Sequence, residues 1–205
     1  MVNQFGFTNL ITIFATIRPS GDGNILKAKA SFFRARCPSL TTFSPWMSQS
    51  FHMTIYFYKV NEPYGCFSNF SPHGIHIHGQ YWPTVEHYYQ AQKFVGTNHA
   101  PIIKVIHGVK TPEEAASLGR DPVRKVRPDW EDVKLPLMRE AVLTKFLTHL
   151  DIQAILLDTG DRLLVENSAT DYYWGCGKDK TGQNHLGKIL MSVRQEIQQR
   201  LTGLI

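Results

Sequence analysis

One run, Tyr81 to Phe94 (YWPTVEHYYQAQKF), constrains the fold of this chain more than any other stretch. Pro83 has its φ preset and pushes Trp82 into an extended conformation, so a strand or loop ends at Trp82 and a helix begins within a residue or two. On that helix Glu86, Gln90 and Lys93 stand at i, i+4 and i+7. They share one face, its ends about 10 Å apart along the axis. Thr84, Tyr88, Ala91 and Val95 form a second, more apolar stripe suited to a core. Lysine and glutamate ordinarily stay in water, but here Trp82, Tyr88, Tyr89 and Phe94 crowd the same turns. A solvated face seldom carries so many rings.

The elements around this run follow from local signals. Thr54 to Tyr58 is β-branched and aromatic, and reads as a strand. Residues 61–74 form a loop punctuated by Pro and Gly, with Phe67 and Phe70 to bury and Asn69 between them. An Asn there either bonds its own backbone or presents a donor and an acceptor to a ligand. Ile75 to His78 alternates as a strand, turns at Gly79 and returns through Tyr81 and Trp82. His73, His76, His78 and His87 are too loosely spaced to predict a metal site. Thr111-Pro112-Glu113-Glu114 has the capping-box form and opens a short helix that stops at Gly119. Asp129-Trp130 opens a long helix reaching His149, with Leu135, Met138, Val142 and Phe146 as its core stripe and Pro136 early in it or kinking it. Ile152 to Asp158 is helical, Arg162 to Glu166 a strand, and His185 to Leu201 a final helix.

Composition narrows the class. A chain of 205 residues, 42% of them hydrophobic, can bury one real core. The formal charge is +5, but residues 1–50 hold Arg18, Lys27, Lys29, Arg34 and Arg36 against Asp22 alone, a surplus of four that leaves one for the rest. The globular part therefore lacks the basic footprint of a general nucleic-acid binder. Cys37, Cys66 and Cys176 are odd in number and unpaired in spacing, which favours reduced thiols in a cytoplasm-like compartment. No apolar run approaches the ~20 residues of a membrane span.

Residues 1–52, rich in Ser and Thr and nearly free of acid, have the composition of an organelle transit peptide, for instance for a plastid. Translation beginning at Met53 or Met47 is the other explanation. Either way we expect a disordered, dispensable extension, followed by one domain over 53–205.

Three aromatic–polar clusters stand out: Phe67 to Phe70, Trp82 to Phe94, and Asp171 to Gly177. Rings stack on flat heterocycles, amides orient them, and arginine or a helix end holds phosphate, so together they describe a pocket for a phosphorylated nucleoside-like molecule. Arg120, Arg124, Lys125 and Arg127 form either a solvated loop or a phosphate clamp. Gly182 to Lys188 begins like a P-loop, but Ile189 stands where Ser or Thr is needed and no apolar strand feeds it. What survives is a glycine-rich turn into a helix, whose backbone N–H groups near Asn184 suit a phosphate.

The runs FSNF at 67–70, WPTVEHYYQAQKF at 82–94, Gly119-Arg120, Asp129-Trp130, Lys145-Phe146, DYYWG at 171–175 and Gly182 to Gly187 resemble, in order over 54–201, the NADAR or YbiA-like family. The resemblance implies an α+β, predominantly helical fold with a few short strands. It implies an N-glycosidase acting on phosphoribosylamino-pyrimidines, early intermediates of riboflavin biosynthesis, and releasing ribose 5-phosphate. Some relatives instead remove ADP-ribose from guanine bases, and a non-catalytic reader of ADP-ribose or NAD is a third reading. A small phosphoribosylated substrate is the expected partner, ADP-ribosylated guanine the alternative; neither cofactor, metal nor obligate protein partner is expected.

Breaking a ribose C1′–N bond requires charge stabilisation at C1′ and a proton on nitrogen, which suits Glu86 as acid and base, worth about 10²–10⁴ in rate. Family resemblance supports a catalytic lysine, carried over onto Lys93, which could capture C1′ as an imine. Asp171 would hold ribose hydroxyls or assist proton transfer. Phe67, Asn69, Trp82, Gln90, Arg120, Trp130, Trp174, Gly175 and Asn184 complete the expected substrate contacts.

Overall fold

The computed structural model describes residues 53–203; Cys37 and the extension predicted over 1–52 lie outside them. Among the described residues there are six helices and four short strands. The first strand, β1 (Ile55–Phe57), buries Ile55 and Phe57 and turns Tyr56 outward, the period-2 alternation of a half-covered strand. A loop with one 3-10 turn at Gly65–Phe67 leads to a hairpin, β2 (Ile75–Ile77) and β3 (Gln80–Trp82), in which Ile75 faces Trp82 and Ile77 faces Gln80. Its two turn residues, His78 and Gly79, both have positive φ, the geometry that matches the twist of a two-residue hairpin.

Helix α1 (Val85–Gln92) starts where Pro83 dictates: Thr84 is extended, and its hydroxyl accepts from the His87 amide. The helix ends at Gln92, so Val95 falls beyond it and is exposed; the predicted apolar stripe is one residue too long. Helix α2 (Ile102–Gly108) was not anticipated. Its Ile and Val content reads as strand by propensity, and it is held as a helix by packing on α1 and on α3 (Pro112–Gly119). Helix α3 carries the full capping box between Thr111 and Glu114.

Helix α4 (Trp130–Thr148) runs across α1 and β2, with Met138, Val142 and Phe146 buried as predicted and Pro136 inside it. After α5 (Leu150–Asp158) the chain returns as β4 (Leu164–Glu166), which pairs in parallel with β1, Ile55 beside Leu164. Helix α6 (His185–Leu201) closes over β4 and α4. One apolar cluster joins all of these, from Phe57 and Phe67 through Trp82, Tyr88 and Phe146 to Leu186 and Val193. No helix among the described residues is long and apolar enough to cross a membrane.

Candidate active site

A cavity of about 890 Å³ opens between the 68–70 loop, α1, the end of α3 and the 166–174 segment. That volume suits a nucleotide-sized molecule. The Glu86 amide donates to the Asn69 carbonyl at 3.1 Å, which ties the loop to the first turn of α1.

Glu86 is 4% exposed. Its Oε1 accepts from Gln90 Nε2 at 2.7 Å, four residues along the same face, and Arg120 Nη2 stands 3.9 Å away. Burial raises its pKa, while Gln90, Arg120 and Lys93 hold it down and Asp171 pushes it further up. Lys93 closes the C-terminal end of α1, and its Nζ donates to the Gly119 carbonyl at 3.0 Å. The ammonium lies 5.7 Å from the Tyr89 ring centre and 5.9 Å from that of Trp130. Burial among these rings lowers its pKa to about 8, against the pull of Glu86 and with help from Arg120.

Asp171 lines the cavity, but its Oδ1 accepts from the amides of Tyr173 and Trp174 at 2.9 and 2.7 Å. This is the loop-capping use of an aspartate, and it aims the Trp174 ring at the cavity wall, edge-on to Tyr89.

Glu166, at the end of β4, also lines the cavity. Burial, with Asp171 and Glu86 nearby, pushes its pKa up to about 8, opposed by Arg120. Three buried acceptors on the wall, Asn69 Oδ1, Gln90 Oε1 and Glu166 Oε2, have no hydrogen-bond partner among the described residues. Each unpaired acceptor costs on the order of 1–3 kcal/mol, which a ligand rich in N–H or O–H donors would relieve.

Of the residues singled out from the sequence, Glu86, Lys93, Asp171, Asn69, Gln90, Arg120 and Trp174 meet on this cavity. Trp130 stands one layer back, behind Tyr89 and beside Lys93. Phe67, Trp82, Gly175 and Asn184 do not line it. Phe67 is 1% exposed and wedged against Phe57 and Phe146; Phe70 takes its place on the wall. Trp82 packs edge-on to Tyr88 and His107 in the core.

Gly175 is where two segments touch: a Cβ there would come within 2.9 Å of Ser168 Cβ. Asn184 Oδ1 accepts from the Glu166 amide and its Nδ2 donates to the Leu164 carbonyl, pinning β4. The amides of Asn184, His185 and Leu186 already donate to the carbonyls of Gly175, Tyr173 and Trp174. The phosphate site expected there therefore has its donors spent.

The basic cluster after α3 divides in the same way. Arg124 is tied to Asp121 and the Leu118 carbonyl, and Arg127 forms a bidentate pair with Asp129. Only Arg120 reaches the cavity. Among the described residues no group of three His, Cys, Asp or Glu is placed to hold a metal ion. His87 is bound by Thr84 and the Val109 carbonyl, and His73 meets His149 edge-on.

The profile of the NADAR domain matches residues 56–198. The chain belongs to the NADAR family. Within it, the chain is 69% identical over 154 residues to an N-glycosidase of Nostoc punctiforme, an alignment covering 74% of this chain and 99% of that protein. It is 42% identical over 143 residues to the N-glycosidase YbiA of Escherichia coli, covering 70% and 88%. The solved structure of E. coli YbiA superposes with a TM-score of 0.68 at 40% identity, covering 74% of this chain and 88% of that one. A chloroplastic riboflavin biosynthesis protein of Zea mays is 45% identical over 155 residues, but the match spans only 25% of that longer protein. This NADAR chain is accordingly an enzyme, a hydrolase of N-glycosyl bonds, with the α+β, mostly helical fold of its relatives.

Every residue lining the cavity lies inside the matched segment. Two groups in this NADAR fold were given no role from the sequence, though Lys145 stands in one of the runs that resemble the family. Glu166 looked like the polar end of a strand; the clue was a carboxylate closing the apolar Leu163-Leu164-Val165. Lys145 is 1% exposed and donates to the Ser68 carbonyl and Ser71 Oγ at 2.9 and 2.7 Å. It anchors the 68–71 loop from below, and burial lowers its pKa to about 7.

Proposed function

We propose that this enzyme hydrolyses the ribose C1′–N bond of phosphoribosylamino-pyrimidines, releasing ribose 5-phosphate. The reading rests on one observation above all: Glu86 and Lys93, both turned inward, share a cavity with Trp174 and three unpaired acceptors. An amino-pyrimidine supplies a flat ring for Trp174 and several N–H donors for Asn69, Gln90 and Glu166. Arg120, its side chain 65% exposed at the cavity edge, is the group suited to the 5-phosphate. The riboflavin biosynthesis name of the maize relative supports the same substrate class. That relative's chloroplastic label also supports the transit-peptide reading of residues 1–52.

Glu86 exchanges protons with water and the leaving nitrogen, and Asp171, through the oxygen its own turn leaves free, holds ribose hydroxyls. Lys93, part of it an uncharged amine at neutral pH, attacks C1′ of a ring-opened ribosylamine to give an imine that water then hydrolyses. The purified full chain should release ribose 5-phosphate from the phosphoribosylamino-pyrimidine, and Glu86→Gln should abolish it. Turnover of ADP-ribosylated guanine alone would move the substrate to that class. Tight binding without turnover, unchanged in Glu86→Gln, would point to a non-catalytic reader.

A further inference from the structure

Building on that hydrolase reading, we propose that Glu166 is a second catalytic carboxyl, the acid that protonates the departing nitrogen, with Glu86 left as the base. The surroundings of the two carboxyls differ in kind. Glu86 receives a hydrogen bond from Gln90 and faces Arg120, with Lys93 on the same helix. Burial raises the Glu86 pKa too, but these three groups hold it down. Glu166 lines the same cavity, yet its Oε2 is buried with no donor, and Asp171 and Glu86 are its carboxylate neighbours, with Arg120 the one cation acting on it. A buried carboxylate without donors is costly, so the group keeps its proton. Burial raises both carboxyls, but only Glu86 has a donor and a close cation working against it, so of the two Glu166 is the one that holds its proton and the acid and base work divides between them. The Asn184 carboxamide bonds the Glu166 amide and the Leu164 carbonyl and so fixes the backbone at the end of β4, which suits a group that must be aimed.

The step balances as a hydrolysis. The C1′–N pair departs with nitrogen, which takes the Glu166 proton; Glu86 accepts a proton from the attacking water as the new C1′–O bond forms. Proton exchange through solvent then returns Glu166 to the acid and Glu86 to the base. The imine route needs the same proton on nitrogen.

The test compares two ribosyl 5-phosphates, one carrying the amino-pyrimidine and one carrying 4-nitrophenolate, which leaves without a proton. In Glu166→Gln, kcat for the amino-pyrimidine should fall about a hundredfold or more, and the alkaline limb of its kcat profile should disappear. The nitrophenyl compound should be cleaved within about threefold of wild type, whereas Glu86→Gln should lose both. Equal loss on both substrates, or an unchanged alkaline limb, would overturn the assignment. Infrared difference spectra give a readout free of turnover. The carbonyl stretch of a protonated carboxylic acid should be present at pH 7 in wild type and in Glu86→Gln, and missing in Glu166→Gln. Its absence from wild type and Glu86→Gln would also overturn the assignment, even if Glu166→Gln does not fold. A wild-type enzyme inert on both compounds but showing the band would sink the hydrolase reading and leave the proton holder in place.

Discussion

Lys93 sits between opposing influences that can be weighed. An amine must drop from about 10.4 toward 7–8 to attack at neutral pH, roughly 4 kcal/mol, and a carboxylate about 10 Å away opposes this by only about 1.7 kcal/mol at an effective dielectric near 20. Burial beside Tyr89 and Trp130 outweighs Glu86, and the amine settles at about 8. At pH 7 about a tenth of it is uncharged and at pH 9 about nine-tenths. Borohydride trapping with substrate, scored by mass spectrometry at Lys93, should therefore rise about tenfold from pH 7 to 9 and level off. An ordinary lysine would still be climbing, about a hundredfold over that span. Lys93→Ala should give no adduct; a retained adduct would place the imine elsewhere. The pair Glu86 and Lys93 was legible because i, i+7 spacing on a helix fixes a shared face without any knowledge of the fold. Glu166 was not, because its neutrality comes from Asp171, Glu86 and burial, which are brought to it from other elements.

Among elements, α3 matters more to the site than its short length suggests. Its capping box sets where it begins, and its end delivers both the Gly119 carbonyl to Lys93 and the Arg120 guanidinium to the cavity. Gly119 lies against α1 so closely that a Cβ would come 2.0 Å from Gln90 Oε1. Gln90 is itself 2% exposed and cannot swing freely. Gly119→Ala should therefore displace the Gln90 amide from Glu86 and lower kcat by about 10² while the far-ultraviolet spectrum stays unchanged; a variant with wild-type kcat would show that Gln90 does not orient Glu86. Helices α1, α3 and α6 were readable to within a residue or two because Pro83 and Thr111 mark the starts of the first two and the apolar period from Leu186 to Leu201 spans the third. Helix α2 was not, since its β-branched run carries no cap and becomes helical only where α1 and α3 pack on it. The expected phosphate turn before α6 failed for the same reason: the carbonyls of residues 173–175 that consume its donors are invisible until the segment folds back.

For the molecule as a whole, the family match begins at residue 56 and the aligned part covers 99% of the Nostoc relative. On that ground a chain beginning at Met53 should match the full chain in Tm and kcat/KM, and a loss of folding would give residues 1–52 a structural role.

The pH dependence of stability tests the site and the core together. Glu166 titrates at about 8 folded against 4.5 for the free group. Between those values the folded protein keeps a proton that the unfolded chain has lost, so stability is present at low pH and falls as pH rises through 8. Lys145 titrates at about 7 folded against 10.5, and Lys93 at about 8. There the unfolded chain holds the extra proton, so stability rises from pH 7 toward 10.5. The two trends meet in a minimum at roughly pH 7–8, a few kcal/mol below the flanks, a large fraction of the 5–15 kcal/mol of a typical domain. Urea unfolding from pH 5 to 10 should trace that minimum. Glu166→Gln should make its acid side shallower, leaving the part that the raised Glu86 contributes, and make the protein more stable at pH 8. Lys145→Met should flatten the alkaline side, but cost about 1–3 kcal/mol at pH 9 by removing the hydrogen bonds to the Ser68 carbonyl and Ser71 Oγ. A wild-type curve that rises steadily from pH 5 to 8 would mean that Glu166 folds as a carboxylate, and that the cavity holds a counter-charge beyond Lys93 and Arg120.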